Sequence, residues 1–151
     1  MSKRRETAIE VMDAFKAWDI DRIIAYRAEN CTQQVVPKSL DRPAMDNAAF
    51  RQYFGGIMPL FKNFTPTTHQ LIEDEKANTV VIWCSSTADT VIGPYGNEYV
   101  LLLHFNETGD KVEKIVEYVD TEYSKSFFGR LRTYLEEQKV QAPLPKYERG
   151  L

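Results

Sequence analysis

The chain has 151 residues, 43% hydrophobic and 27% charged, a composition that suits one soluble globular domain with a core that needs no disulfide or metal. With 19 basic and 22 acidic residues the net charge is -3, and outside Lys3-Arg4-Arg5 no basic block offers a track for nucleic acid. No apolar run approaches the ~20 residues of a membrane helix, the first residues lack a signal-peptide core, and Cys31 and Cys84 have neither disulfide-framework nor zinc spacing, so a reduced cytosolic protein is expected.

In chain order, residues 6–17 carry Ala8, Ile9, Met12 and Phe15 at helical spacing. Asp19 or Asp21 is placed to cap a second, short helix bearing Ile20, Ile23 and Ile24. Residues 31–36 are β-prone and stop at Pro37, which predicts a short first strand. After the capping candidates Asp46 and Asn47, Phe50, Tyr53, Phe54, Ile57, Met58 and Phe61 form an apolar stripe of helical period, with Gly55-Gly56 and Pro59 set to kink or end it.

From Thr65 the period becomes strand-like, predicting strands over 67–75, 79–89, 98–106 and 111–121 separated by short turn signals. A last helix is predicted over 124–137, bearing Phe127, Leu131, Tyr134 and Leu135. Three helices followed by consecutive long strands predict an α+β domain over residues 1–138, in which N-terminal helices close one side of a cone-shaped, curved antiparallel sheet around a pocket. Residues 139–151, with Pro143 and Pro145, are expected to form an extended tail.

Glu117 stands out because it shares strand parity with the apolar Ile115 and Val119 and so points inward. It is either an ion-paired carboxylate at the sheet surface or a proton carrier tuned by burial and a nearby cation. Arg27 is that candidate cation, the alternative being a surface arginine at a helix C-terminus. Tyr95, Asn97 and Tyr99 share a face with Leu101 and Leu103, as core tyrosines with satisfied hydroxyls or as groups lining one pocket wall. His69 is a weaker acid/base and substrate-binding candidate, while His104 has the opposite parity to Tyr95 and Tyr99. The two histidines, 35 residues apart, form no metal-ligand pattern. Asp120 is expected to face away from Glu117. Phe54 and Met58 join His69 and Asn97 as candidate substrate-binding residues.

Four segments carry a resemblance. These are residues 25–32 (Ala-Tyr-Arg-Ala-Glu-Asn-Cys-Thr), 37–43 (Pro-Lys-Ser-Leu-Asp-Arg-Pro), 58–64 (Met-Pro-Leu-Phe-Lys-Asn-Phe) and 93–99 (Gly-Pro-Tyr-Gly-Asn-Glu-Tyr). With them the chain, to about Glu137, resembles the SnoaL-like proteins of the nuclear transport factor 2-like superfamily, in particular small fungal members of natural-product pathways. The resemblance implies a cone-shaped α+β barrel, commonly a homodimer, with a pocket for a hydrophobic polycyclic substrate and no organic cofactor. Related fungal enzymes include isomerases that rebuild meroterpenoid rings and semipinacolases of indole alkaloid pathways. In the latter the working set is an Arg after the second helix, two Tyr spaced by four and a Glu eighteen residues beyond. Arg27, Tyr95, Tyr99 and Glu117 match those places, and Gln33 stands where group members often have His. The implied function is a cofactor-independent isomerase that rearranges a carbon skeleton. Two alternatives are a polyketide dehydratase or cyclase using His69 or Asp120 as proton shuttle, and a non-catalytic binding or dimerisation module.

Overall fold

The computed structural model describes residues 1–144. Helices α1 (Lys3–Ala17) and α2 (Ile20–Ala25) open the chain and lead into strand β1 (Arg27–Val36). Helix α3 (Asn47–Ile57) follows, then strands β2 (Lys62–Asp74), β3 (Thr79–Thr90), β4 (Gly93–Phe105) and β5 (Val112–Val119), and helix α4 (Thr121–Glu137). No helix is long and apolar enough to cross a membrane among the described residues.

Each helix begins on a side chain that accepts otherwise unpaired amide hydrogens: Ser2 for α1, Asp19 for α2, Asp46 for α3 and Asp120 for α4. Along α1 the buried face is Thr7, Ala8, Val11 and Ala14, and Ile9 points to solvent, so the apolar stripe is rotated by about one position from the expected one. Helix α3 runs through Gly55-Gly56 and tightens into a 3-10 turn, Met58–Leu60, where Pro59 cannot supply an amide hydrogen.

Strands β2, β3, β4 and β5 pair antiparallel in sequence order, as the short turn signals predict. The expectation of a cone-shaped, curved antiparallel sheet is corrected by the pairing of β1. Its edge lies parallel to β5, giving a mixed five-stranded sheet in the order β1-β5-β4-β3-β2. Its edges β1 and β2 do not pair with each other, so the sheet is open and neither closes nor curls into a cone. The physical reason is connectivity: β1 is separated from its partner by α3 and three strands, and only a long connection allows a parallel neighbour.

The helices cover one face of this sheet. Against α1 pack Val80, Ile82, Leu101, Leu103, Val112 and Ile115. Under α4 lies a second cluster containing Phe61, Tyr95, Phe127, Phe128, Leu131 and Leu135. Burial of each large side chain contributes about 1.5–3 kcal/mol. Helix α4 ends in a Schellman turn, with Val140 N donating to Leu135 O, Lys139 N to Glu136 O, and Lys139 left-handed at φ 57. Residues 139–144 then run back over α3, where Leu144 is buried in the second cluster and Pro143 lies against Gly56. The remainder of the expected tail, 145–151, lies outside the described residues.

Candidate active site

Between the helices and the inner face of the sheet lies a cavity of about 130 Å³. A cavity needs roughly 10–15 Å³ to hold one water, so this one has room for several. Its wall is mostly aromatic and aliphatic, with Phe15, Phe50, Phe54, Phe61 and Phe64 among the lining side chains. The polar groups that reach it include Glu117, Gln33, Arg42, Tyr95, Asn97, Tyr99 and Ser86.

Glu117 enters from β5, paired on one side with Leu101 of β4 and on the other with Val35 of β1. Its parity neighbours Ile115 and Val119 are buried, so the alternation read from the sequence holds here. The carboxylate retains some accessible surface because it faces free volume, yet protein surrounds that volume. Burial therefore raises its pKa above the ordinary carboxylate value, and the field of Arg42 opposes the rise.

Facing it are two phenols in contact, Tyr95 Oη and Tyr99 Oη, 2.7 Å apart. Tyr99 also meets Ser86 Oγ at 2.9 Å, and Asn97 Nδ2 donates to Tyr95 Oη at 3.0 Å. Desolvation pushes both phenol pKa values up, so each keeps its proton and acts as a hydrogen-bond donor at neutral pH. The aromatic cage around Tyr95, with Phe61 at 4.9 Å and Phe127 at 4.9 Å between ring centroids, fixes its orientation.

Arg27 is neither a cavity cation nor a surface arginine. It starts β1, is 7% exposed and does not line the cavity. Its guanidinium lies 4.1 Å from the centroid of Phe50, Nε donates to Asn47 Oδ1 at 2.7 Å, and Nη1 donates to Gln33 Oε1 at 2.7 Å. Gln33 Nε2 then reaches Glu117 Oε1 at 3.5 Å. The Gln33 amide thus lies between the cation and the carboxylate. Burial pulls the Arg27 pKa down, from a value so high that it remains charged.

Of the other expected site residues, Asn97 and Phe54 line the cavity. Met58 does not: it is buried among Ala14, Ile23 and Phe50, and its carbonyl accepts the Trp18 indole N–H at 3.1 Å. His69 is exposed, bonded to Ser85 Oγ at 2.8 Å and packed on Trp83, away from the cavity lining. His104 contacts Thr79 Oγ1 and is also not among the lining residues. Asp120 is exposed and committed to capping α4.

Gln33, Ser86 and Arg42 are among the polar lining residues that the sequence reading does not name as site residues. Gln33 has the parity of the buried Cys31 and Val35 on β1, and Ser86 has that of Cys84 and Ala88 on β3, so alternation could have found both. Arg42 follows a 3-10 turn, Lys38–Leu40, and left-handed Asp41. Its loop is pinned to β1 by Gln34 Nε2 donating to Arg42 O at 2.7 Å and by the Gln33–Met45 bridge. Nothing periodic in the sequence reports that placement.

Helices packed on one face of a mixed sheet, enclosing a cavity with a carboxylate opposite paired phenols, define a small α+β protein of the nuclear transport factor 2-like superfamily. No family model matches the chain. It is 34% identical over 135 residues to "Monooxygenase nsrQ" of Aspergillus novofumigatus, covering 89% of each chain. To "Core atranone cluster (CAC) protein 11" of Stachybotrys chlorohalonatus it is 33% identical, covering 87% of this chain and 98% of that one. The crystal structure of BvnE pinacolase from Penicillium brevicompactum superposes with a TM-score of 0.83 at 27% identity, covering 87% of this chain and 92% of that chain. The chain belongs to the SnoaL-like family of this superfamily, in the group that includes these fungal proteins.

Proposed function

We propose that the protein is a cofactor-independent isomerase that rearranges the carbon skeleton of a hydrophobic polycyclic secondary metabolite by acid/base catalysis. The observation that carries this reading is the Glu117 carboxylate held in an apolar cavity opposite the Tyr95–Tyr99 pair. Its likeness to a pinacolase, an enzyme whose name denotes a skeletal shift, supports the reaction class.

In this reading Glu117 takes the proton of a substrate hydroxyl or acidic carbon, its raised pKa bringing it nearer the working pH of a general base. The migrating bond carries its electron pair within the substrate, and the proton returns from Glu117 to the product, so atoms and charge balance. The Tyr95–Tyr99 pair supplies the hydrogen bond to the oxygen that gains negative charge. Arg27, which does not line the cavity, is a positioning residue for Gln33 and through it for Glu117. The aromatic wall excludes water and holds the substrate in one conformation.

A second reading, a monooxygenase, is favoured by the name that nsrQ carries. Accurate product mass separates the readings: isomerisation leaves it unchanged, oxygenation adds one oxygen, and a dehydratase removes one water. Incubation of the protein with candidate polycyclic intermediates, followed by mass spectrometry, tests the proposal, and a product of altered mass would overturn it. A homodimer is proposed through the outer sheet face, where Ile72, Trp83 and Tyr118 are exposed. Light scattering that gives a monomer mass would refute it. Residues 1–138 are proposed as one domain.

A further inference from the structure

Asn97 lines the cavity and has the residue type of a substrate-binding group, yet both of its amide hydrogens are used inside the protein. It is 7% exposed. Its Oδ1 accepts the backbone N–H of Glu98 at 2.9 Å, which fixes the orientation of the amide, since the flipped amide would oppose two donors. The NH2 group must then face outward from that bond, and it does: Nδ2 donates to Tyr95 Oη at 3.0 Å and to Ser124 Oγ at 3.0 Å. No amide hydrogen remains for a substrate.

This geometry orients everything downstream of it. Tyr95 Oη receives the amide hydrogen, and a phenol oxygen whose lone pair is drawn into the ring is a poor acceptor of a second. Its own proton is therefore directed to Tyr99 Oη at 2.7 Å. Tyr99, now an acceptor, turns its proton outward, resting on Ser86 Oγ at 2.9 Å until a substrate oxygen replaces it. Consecutive bonds in one direction strengthen one another.

We propose that Asn97 is a positioning residue that sets the direction of a hydroxyl relay, Asn97 to Tyr95 to Tyr99, and so makes Tyr99 the terminal hydrogen-bond donor to the substrate oxygen. The proposal rests on the isomerase reading for what Tyr99 does, but the direction of the relay belongs to the resting protein.

The test is Asn97→Asp. A carboxylate cannot donate, so Tyr95 turns its proton toward position 97 and Tyr99 loses its donor. The kcat should fall about tenfold at neutral pH, the cost of one hydrogen bond, with KM little changed. As pH falls and the new carboxyl takes up a proton, it can donate again, and the ratio of variant to wild-type kcat should rise. Taking the ratio removes the part of the Glu117 titration common to both proteins; Glu117 and Arg42 are the charged groups lining the same cavity. The other titratable groups around position 97 are Tyr95 and Tyr99 on β4 and Tyr123 on α4.

Ser86→Ala is the second variant, because it removes one oxygen, the partner of Tyr99 Oη, and keeps the rest of the β3 side chain. In the relay as drawn Ser86 only accepts, so kcat should rise several-fold. In a reversed relay Ser86 would be the first donor, and a fall in kcat overturns the proposal. The ring-carbon NMR shifts of Tyr95 and Tyr99, read at Cζ without substrate, provide a measure independent of turnover. They should move in Asn97→Asp and return toward wild-type values as pH falls. Shifts that do not move overturn the relay, whereas shifts that move as expected in a protein without isomerase activity uphold it and sink the isomerase reading alone.

Discussion

Replacing Glu117 by Gln separates the two things the carboxylate does in this cavity. The amide keeps the shape and fills the same space between Leu101 and Val35, but it cannot take up a proton. Proton transfer by a positioned side chain contributes about 10²–10⁴ in rate, or about 3–5 kcal/mol of barrier, so kcat should fall by that factor. Stability should move the other way. Burial raises the Glu117 pKa above its unfolded value, so the carboxyl's contribution to stability is fully present at pH values below the unfolded pKa and is lost as pH rises through the folded pKa. At neutral pH the carboxyl therefore costs stability, as a desolvated charge or as a proton taken up on folding, and the neutral amide removes that cost. The bond from Gln33 Nε2 is long at 3.5 Å, contributes little, and can be kept by the oxygen of the new amide. The Tm of Glu117→Gln should exceed that of wild type at neutral pH, and the difference should close below about pH 4, where the carboxyl is protonated in both states. Product formation and thermal unfolding, each followed across that pH range, measure both effects. Retained activity would remove Glu117 from the chemistry, and a lower Tm at neutral pH would refute the claim that its environment disfavours charge.

Tyr99→Phe should keep the packing, cost about 1–3 kcal/mol of stability because Tyr95 loses its acceptor, and lower kcat at least tenfold, measured by urea unfolding and by product formation at saturating substrate. Arg27→Met should destabilise the fold by about 3 kcal/mol in urea unfolding, because two charge-assisted hydrogen bonds and the stack on Phe50 are lost and relief from burying the cation offsets only part. Cys84, whose thiol is pushed up to about 12 by burial and by the charge of Glu117, should resist thiol reagents in the native protein and react on unfolding. Gly56→Ala would place a methyl carbon 2.6 Å from Pro143 Cγ, so it should loosen residues 139–144 and expose the C-terminal segment to limited proteolysis.

The parts of this fold that are local were legible in the sequence. Asp46 caps α3 and the stripe from Phe50 to Phe61 faces inward because both depend on spacings of three and four residues. Alternation alone places Glu117 and Asn97 on the cavity side, and both line the cavity. What failed was long-range. The parallel partner of β1 is decided by packing across the chain, so the sheet was expected to be antiparallel throughout and cone-shaped. Arg27 and Arg42 could not be told apart by residue type. One lies behind the wall under Phe50 and the other reaches the cavity through a loop whose position is set by contacts to β1. Met58 shares the helical stripe, but the chain tightens into a 3-10 turn at that residue, which packs with Ala14, Ile23 and Phe50 and does not line the cavity.

The return of residues 139–144 over α3 gives the cavity wall a second layer. Ile57, Phe61 and Phe128 face the cavity on one side and share a cluster with Leu144 on the other. A substrate bulkier than the resting space must push those three side chains outward, and the first thing they meet is the chain's own C-terminal segment. The size limit of the pocket is thus elastic, with a stiffness set by how firmly Pro143 and Leu144 are seated on Gly56 and the aromatic cluster. Changes far along the chain from Glu117 can therefore retune which molecules fit without altering any group that touches them.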